Sequence, residues 1–178
     1  KRIIYSEKQI NQRIDAAAEW LNKKFKNNKQ APIFLSVLKG ALPFYGNLIM
    51  KIKIDVIFDF IVLSSFRGKM KPSCMPKIIT DLFNNIKGKD VVIVEDIADS
   101  AKTLCVLIKY LKIRKPKSIT TVVLINKPDK RRVSFEPDFS CFTIYNSPFI
   151  IGYGLDINEK ARNLPYIAEF DKRYLGKV

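Results

Sequence analysis

Three short, largely apolar runs punctuate the chain: Pro32-Ile33-Phe34-Leu35-Ser36-Val37-Leu38, Asp90-Val91-Val92-Ile93-Val94 and Ser118 to Ile125. Each has the length of one strand and is apolar at successive positions rather than alternate ones. Such strands have both faces covered. Segments with helical spacing lie between them. Ala41–Ile52 is one, with Pro43 tolerable only in its first turn. Thr103–Lys112 is another, with Leu104, Leu107, Ile108 and Leu111 on one face. A third comes earlier: Ser6-Glu7-Lys8-Gln9 has the form of a capping box, and Ile10, Ile14, Ala17, Leu21 and Phe25 recur at helical spacing over 7–27. Further strands are expected over Asp55–Ser65, Lys77–Leu82, Cys141–Ile144, Phe149–Tyr153 and Tyr166–Phe170, with a loop of Gly and Pro at 67–76. This alternation specifies an α/β fold, a central parallel sheet flanked by helices. At 178 residues, 47% apolar and 28% charged, without a linker, repeat or low-complexity tract, one domain over 1–178 is expected.

The sequence has no histidine. A Ser-His-Asp triad, a Cys-His pair and histidine metal ligands are therefore excluded. Acid–base chemistry falls to carboxylates, Lys, Tyr, Cys or the substrate itself. Cys74, Cys105 and Cys141 are far apart, odd in number and without a C-x-x-C pair. That usage fits a reduced, cytoplasmic setting. No apolar run approaches the ~18 residues of a membrane span. Lys1-Arg2-Ile3-Ile4-Tyr5 is no signal peptide. It lacks an initiator Met, so further residues are expected upstream.

Lys and Arg number 32 against 17 Asp and Glu, a formal charge of +15. That balance raises the question of nucleic acid. The charge is spread, however: residues 1–60 hold 11 basic and 5 acidic side chains, and residues 101–140 hold 10 and 3. The densest basic runs, 112–117 and 127–132, contain no aromatic residue. A platform that stacks single strands would interleave aromatics there. Solvated surface that attracts small anions is the favoured reading, and nucleic acid is disfavoured.

Chemistry concentrates in Val91-Val92-Ile93-Val94-Glu95-Asp96-Ile97-Ala98-Asp99-Ser100-Ala101-Lys102-Thr103. A buried strand ends in two adjacent acids; a third acid and small polar residues then open a helix. Ligands of open parallel sheets bind outside the carboxyl ends of the strands. The free N–H groups of a helix start, with the Ser100 and Thr103 hydroxyls, suit a phosphate. Three carboxylates would repel a bare phosphate, so the ligand must also offer groups a carboxylate wants. A sugar diol donates to it, and a divalent cation bridges it to phosphate oxygens. Together these describe a ribose phosphate. In the bland alternative, Glu95 and Asp96 only cap a turn and Asp99 is an N-cap. The chain has neither G-x-x-x-x-G-K-[ST] nor G-x-G-x-x-G, so ATPase and dinucleotide-binding readings lose their usual support.

This window resembles the phosphoribosyl pyrophosphate (PRPP) motif of type I phosphoribosyltransferases. Further matches follow in order: Leu38-Lys39-Gly40, Ser64-Ser65-Phe66-Arg67-Gly68, Lys127-Pro128, Glu136-Pro137-Asp138-Phe139, Phe149 to Asp156, and Asn158-Glu159 with Arg162-Asn163-Leu164. They narrow the resemblance to hypoxanthine-guanine phosphoribosyltransferases, enzymes of purine salvage. The resemblance implies the type I fold, with a small hood formed by the N- and C-terminal segments. It implies a Mg²⁺-dependent transfer in which hypoxanthine or guanine and PRPP give IMP or GMP and pyrophosphate. Xanthine as the base also stays open. A homo-oligomer, dimer or tetramer, is implied too.

The roles are likewise implied by the resemblance. Glu95 and Asp96 hold the ribose hydroxyls, directly or through Mg²⁺, and Asp156 takes a second Mg²⁺ or a water on it. Asp99, Ser100, Ala101, Lys102 and Thr103 cradle the 5′-phosphate. Asp99 is also the general base, taking the N7 proton of the purine. A carboxylate suffices, because an oxocarbenium-like ribosyl centre needs only a weak nucleophile. Lys127 donates to the purine O6, Phe149 stacks on the ring, the Ile150 carbonyl accepts from the base, and Asp156 lies beside it. Lys39, Gly40 and Arg162 hold pyrophosphate, with a cis peptide between Leu38 and Lys39. Ser65 and Phe66 begin a mobile loop that closes over the reaction. Two positions depart from the family pattern. Ala101 stands where Gly is usual, and Phe66 where Tyr is usual. Alanine is strained if that backbone needs a positive φ, which puts PRPP affinity in doubt. A competing reading, motivated by the charge, is an RNA-binding regulator on the same fold. The kept base-pocket residues Lys127 and Phe149 weigh against it.

Overall fold

The structure, a computed structural model, describes residues 2–63, 77–146 and 148–170. Strand β1 (Arg2–Tyr5) leads into α1 (Glu7–Phe25). The capping box forms: the Ser6 side chain accepts from Gln9 N, and the Gln9 side chain accepts from Ser6 N at 2.9 Å. The chain then runs through β2 (Ile33–Leu38), α2 (Leu42–Ile49), β3 (Ile57–Leu63), β4 (Ile78–Thr80), β5 (Asp90–Ala98), α3 (Lys102–Ile113), β6 (Ser118–Asn126) and β7 (Phe139–Thr143). Two short strands follow, β8 (Ile150–Ile151) and β9 (Ile167–Glu169). Pro43 falls in the first turn of α2, where its missing N–H costs nothing.

The main sheet has the order β4-β3-β2-β5-β6-β7. All its neighbours are parallel except the edge pair β3–β4. The expected parallel sheet is therefore present, with one antiparallel edge strand. Successive residues of its central strands feed opposite cores. Phe34, Val92 and Val94 join Ile10, Ile14 and Leu21 of α1 and Phe44 and Leu48 of α2. Ile33, Leu35, Val91 and Ile93 join Leu104, Leu107 and Leu111 of α3. This is why the runs are largely apolar at successive positions rather than alternate ones. Each such side chain contributes roughly 1.5–3 kcal/mol when fully buried.

Chain order reverses between β2 and β5: β3 lies on one side of β2, while β5, β6 and β7 follow on the other. Such a switch point opens a crevice outside the carboxyl ends of the two strands. Over it sits a second sheet, β1-β9-β8, made from both ends of the chain. This is the expected hood. Tyr5 stacks on Phe142 of β7 with ring centroids 3.8 Å apart, which ties the hood to the main sheet.

Several boundaries differ from the expectations, and three of the differences have a physical reason. Strand β1 was not foreseen. Its burial is slight, and its partner β9 is more than 160 residues away, so no local signal marks it. Strand β5 continues past the apolar run to Ala98, because β6 extends alongside it: Glu95 pairs with Val123 and Ala98 with Asn126. Helix α2 stops at Ile49 rather than Ile52, leaving Met50 exposed.

Candidate active site

Glu95 and Asp96 lie near the carboxyl end of β5, inside the ladder with β6 rather than in a turn beyond it. Glu95 is buried, and the two carboxyl groups are within hydrogen-bonding reach of each other. Burial, and then the Asp96 charge beside it, push the Glu95 carboxyl well above the ordinary range. Burial also raises Asp96, against the opposing pull of the Glu95 and Ile97 hydrogen bonds and the Arg162 charge. An adjacent pair of this kind, buried at Glu95 and half-buried at Asp96, favours a hydrogen-bond donor or a cation.

The loop after β2 packs directly against this pair. The Leu38–Lys39 peptide is cis, as the resemblance implied. A Cβ on Gly40 would lie 1.8 Å from Asp96 Oδ2, so only glycine lets the loop approach. The hood closes on the same point. Gly154 has φ +96°, and a Cβ there would lie 1.9 Å from the Gly40 carbonyl oxygen. Arg162 donates from Nη1 to that glycine's own carbonyl, Gly154 O, at 2.7 Å. Its Nη2 pairs with Asp156 at 2.9 Å and Glu159 at 3.2 Å. The buried Arg162 Nε has no hydrogen-bond partner among the described residues. Glu159 also reaches Lys39 Nζ at 3.7 Å. Lys39, Gly40 and Arg162, far apart in sequence, thus converge, with Glu159 between the two cations. Glu159 was part of the Asn158-Glu159 match but carried no expected role; its spacing of three from Arg162 was the available signal.

Asp99 is exposed just beyond β5, with Ser100 beside it. Ala101 caps α3 in the left-handed region, φ 58° and ψ 6°. The doubt about alanine therefore meets a backbone that does need a positive φ. Alanine brings no side-chain oxygen, no cap hydrogen bond forms, and the first turn of α3 holds no acid. The orphan N–H groups of that turn keep their positive end for a ligand. Lys102 and Thr103 are exposed in the same turn. Asp99 is not the N-cap, so the bland alternative fails on that point.

Lys127 follows β6 as Asp99 follows β5, and the register Ala98–Asn126 sets the two side by side. Lys127 is buried, donates from its backbone N to Ala98 O at 3.0 Å and from Nζ to Pro148 O at 2.8 Å. Phe149 is partly buried and meets Phe170 edge to face at 6.2 Å. Ile150 is buried in β8. Both therefore belong to the hood. Ser65 and Phe66 lie outside the described residues.

Among the described residues no group of three acidic or cysteine side chains could by itself cage a metal ion. Asp156, held by Arg162 and the Glu159 N–H at 2.9 Å, does not join Glu95 and Asp96 in one cluster. The donor set nevertheless fits Mg²⁺. That ion uses one or two carboxylates and completes its shell with substrate oxygens and water. The abutting Glu95–Asp96 pair offers the carboxyl oxygens such an ion would meet. No described helix is long and apolar enough to cross a membrane.

Comparison with known proteins identifies the family. Residues 3–158 match the phosphoribosyl transferase domain family. Hypoxanthine-guanine phosphoribosyltransferase of Mycoplasma genitalium is 39% identical over 171 residues, 96% of each chain. The Streptococcus pyogenes enzyme of that name is 38% identical over 177 residues, 99% of this chain and 97% of that one. The crystal structure of a Bacillus anthracis hypoxanthine-guanine phosphoribosyltransferase superposes with a TM-score of 0.89 at 36% identity, covering 96% of this chain and 99% of that one. With matches of this length and similarity, the chain belongs to the phosphoribosyl transferase domain family, among its hypoxanthine-guanine phosphoribosyltransferases.

Proposed function

We propose that the chain transfers the 5-phosphoribosyl group of PRPP to N9 of a 6-oxopurine, giving the nucleoside 5′-monophosphate and pyrophosphate. The observation that carries this reading is the Glu95–Asp96 pair, with Glu95 buried and Asp96 half-buried against Gly40 at the switch point. The pair accepts hydrogen bonds from the ribose hydroxyls. Asp99 to Thr103 seat the 5′-phosphate on the α3 start. Lys39, Gly40 and Arg162 bind the pyrophosphate, whose charge displaces Glu159 from the two cations. Mg²⁺, held by Glu95 and Asp96 and at Asp156, would supply charge neutralisation to the polyphosphate. As the C1′–O bond to pyrophosphate breaks, the C1′–N9 bond forms, and Asp99 takes the N7 proton. Ser65 and Phe66 belong to the loop that excludes water. One domain over 1–178, a homo-oligomer and a cytoplasmic setting go with this reading.

Base choice follows from Lys127. An ammonium only donates hydrogen bonds, so it suits a purine O6 and opposes the amino group of adenine. The Phe149 ring and the Ile150 backbone complete the pocket. The test is a spectrophotometric assay with PRPP and Mg²⁺, offering hypoxanthine, guanine, xanthine and adenine in parallel. Turnover with one or more 6-oxopurines and none with adenine is expected. No turnover with any base at high PRPP would overturn the reading.

A further inference from the structure

Arg131 lies in one of the two densest basic runs of the chain, yet its guanidinium turns inward. Nη1 donates to Ala98 O at 2.6 Å and to Asp99 O at 2.7 Å. Nε donates to Phe135 O at 3.0 Å, and Nη2 donates to Asn126 Oδ1. The guanidinium also lies over the Phe135 ring, 5.8 Å being the comparable Arg13–Phe139 distance and 5.4 Å its own. Every nitrogen of the fork is thus engaged with the protein. The next residue adds one more bond, Arg132 N to Ser100 O at 3.2 Å.

These bonds set the direction of the turn that follows β5. In a trans peptide the C=O of one residue and the N–H of the next point opposite ways. Only Leu38–Lys39 is cis among the described residues, so the peptides after Ala98, Asp99 and Ser100 are trans. Their carbonyls are drawn toward Arg131 and Arg132. The N–H groups of Asp99, Ser100 and Ala101 therefore face the other way. Successive N–H groups turned to one side, ending in the left-handed Ala101, form an anion-binding concavity. An extended strand would alternate them.

We propose that Arg131 is a positioning residue for the 5′-phosphate: its guanidinium holds the Ala98 and Asp99 carbonyls so that the turn presents its N–H groups to the phosphate. Arg131 itself does not touch the substrate. Lysine cannot replace it fully, because only a planar fork reaches carbonyls and Asn126 together. This rests on the seating of the 5′-phosphate at residues 99–103.

The test is the ratio of affinities for IMP and inosine, which differ only in that phosphate. Calorimetric or competition titrations would use wild type, Arg131→Met, Arg131→Lys and Thr103→Val. In Arg131→Met the ratio should fall roughly tenfold to a hundredfold, with inosine affinity kept within about twofold. Arg131→Lys should fall between the two, and it carries the test alone if the methionine variant does not fold. Should Thr103→Val lower the ratio while both Arg131 variants keep it, Arg131 only supports the fold and the inference is overturned. An equal loss of both ligands leaves the ratio unchanged and overturns it in the same way. Should Thr103→Val also keep the ratio, the phosphate does not sit on this turn, and the seating itself is wrong.

Discussion

At the start of β5, Asp90 receives hydrogen bonds from Asn28 at 2.8 Å, Lys117 at 2.9 Å and Ser118 at 2.5 Å. Five and six residues further along, toward the other end of the strand, Glu95 and Asp96 act on each other, and the Arg162 charge acts on Asp96. Burial works to raise the Asp90 carboxyl, but the Ser118 and Lys117 hydrogen bonds outweigh it and hold the group below its ordinary range. Burial raises Glu95 with the Asp96 charge adding to it. One strand therefore carries a fully served carboxylate and an underserved pair. The protein provides the partners at the amino end and leaves them to a ligand at the carboxyl end. Stability and function are separated along a single strand, which makes the two ends separable by mutation.

The largest effect expected is on turnover. Asp99 stands just past the carboxyl end and is exposed. Asp99→Asn should lower kcat by about 10²–10⁴-fold, the usual range for removing a general base. PRPP affinity should persist, and stability should change by no more than about 0.5 kcal/mol. Steady-state kinetics and a thermal melt check both. Near-wild-type turnover would remove the base assignment and leave the carboxyl end as a binding surface only.

The next effect has opposite signs at the two ends. Asp90→Ala strands three donors and should cost about 1–3 kcal/mol in the unliganded protein at neutral pH. Glu95→Gln removes a buried like-charge contact and should stabilise the same unliganded protein by on the order of 1 kcal/mol while impairing turnover. The pH dependences follow from linkage. Asp90, with its folded pKa depressed, contributes stability above the unfolded aspartate value and loses it as pH falls through the folded one. Glu95, with its folded pKa raised, has its favourable contribution below the unfolded glutamate value and loses it as pH rises through the folded one. Both differences from wild type therefore shrink on acidification, one from a deficit and one from a surplus. Denaturant melts from pH 7 downward read this directly. Two deficits would mean that Glu95 is as well served as Asp90.

How much of this was legible in the sequence follows the same division. The β5 run and its acids were readable because they are contiguous, and the capping box of α1 because its two residues are three apart. The hood was implied by resemblance, but β1 itself was invisible, since its pairing with β9 joins the two ends of the chain. Arg131 read as solvated charge. Nothing local says that its fork turns back onto carbonyls more than thirty residues earlier. The Gly40–Asp96 and Gly154–Gly40 approaches were equally hidden, because each is a distance between strand ends rather than a spacing along the chain. Residues that bear chemistry were legible by type, and those that aim them were not.

The smallest effect concerns Ala101, in the turn just past the carboxyl end of β5. With φ 58° an alanine pays roughly 1–2 kcal/mol relative to a right-handed conformation. Glycine would relieve that. It would also widen the unfolded ensemble, at about 0.4–1 kcal/mol, and remove a buried methyl worth about 0.8 kcal/mol. The terms nearly cancel, so Ala101→Gly should alter stability by less than about 1 kcal/mol. Because the Arg131 and Arg132 hydrogen bonds already orient the turn, the KM for PRPP should change only slightly. A thermal melt and a PRPP titration decide the matter. A clear gain in both would mean that alanine distorts the turn and that the carboxyl end of β5 stores strain as well as charge. A clear loss would mean that the methyl packs the turn in place, giving this end a structural debt of the kind Asp90 settles at the other.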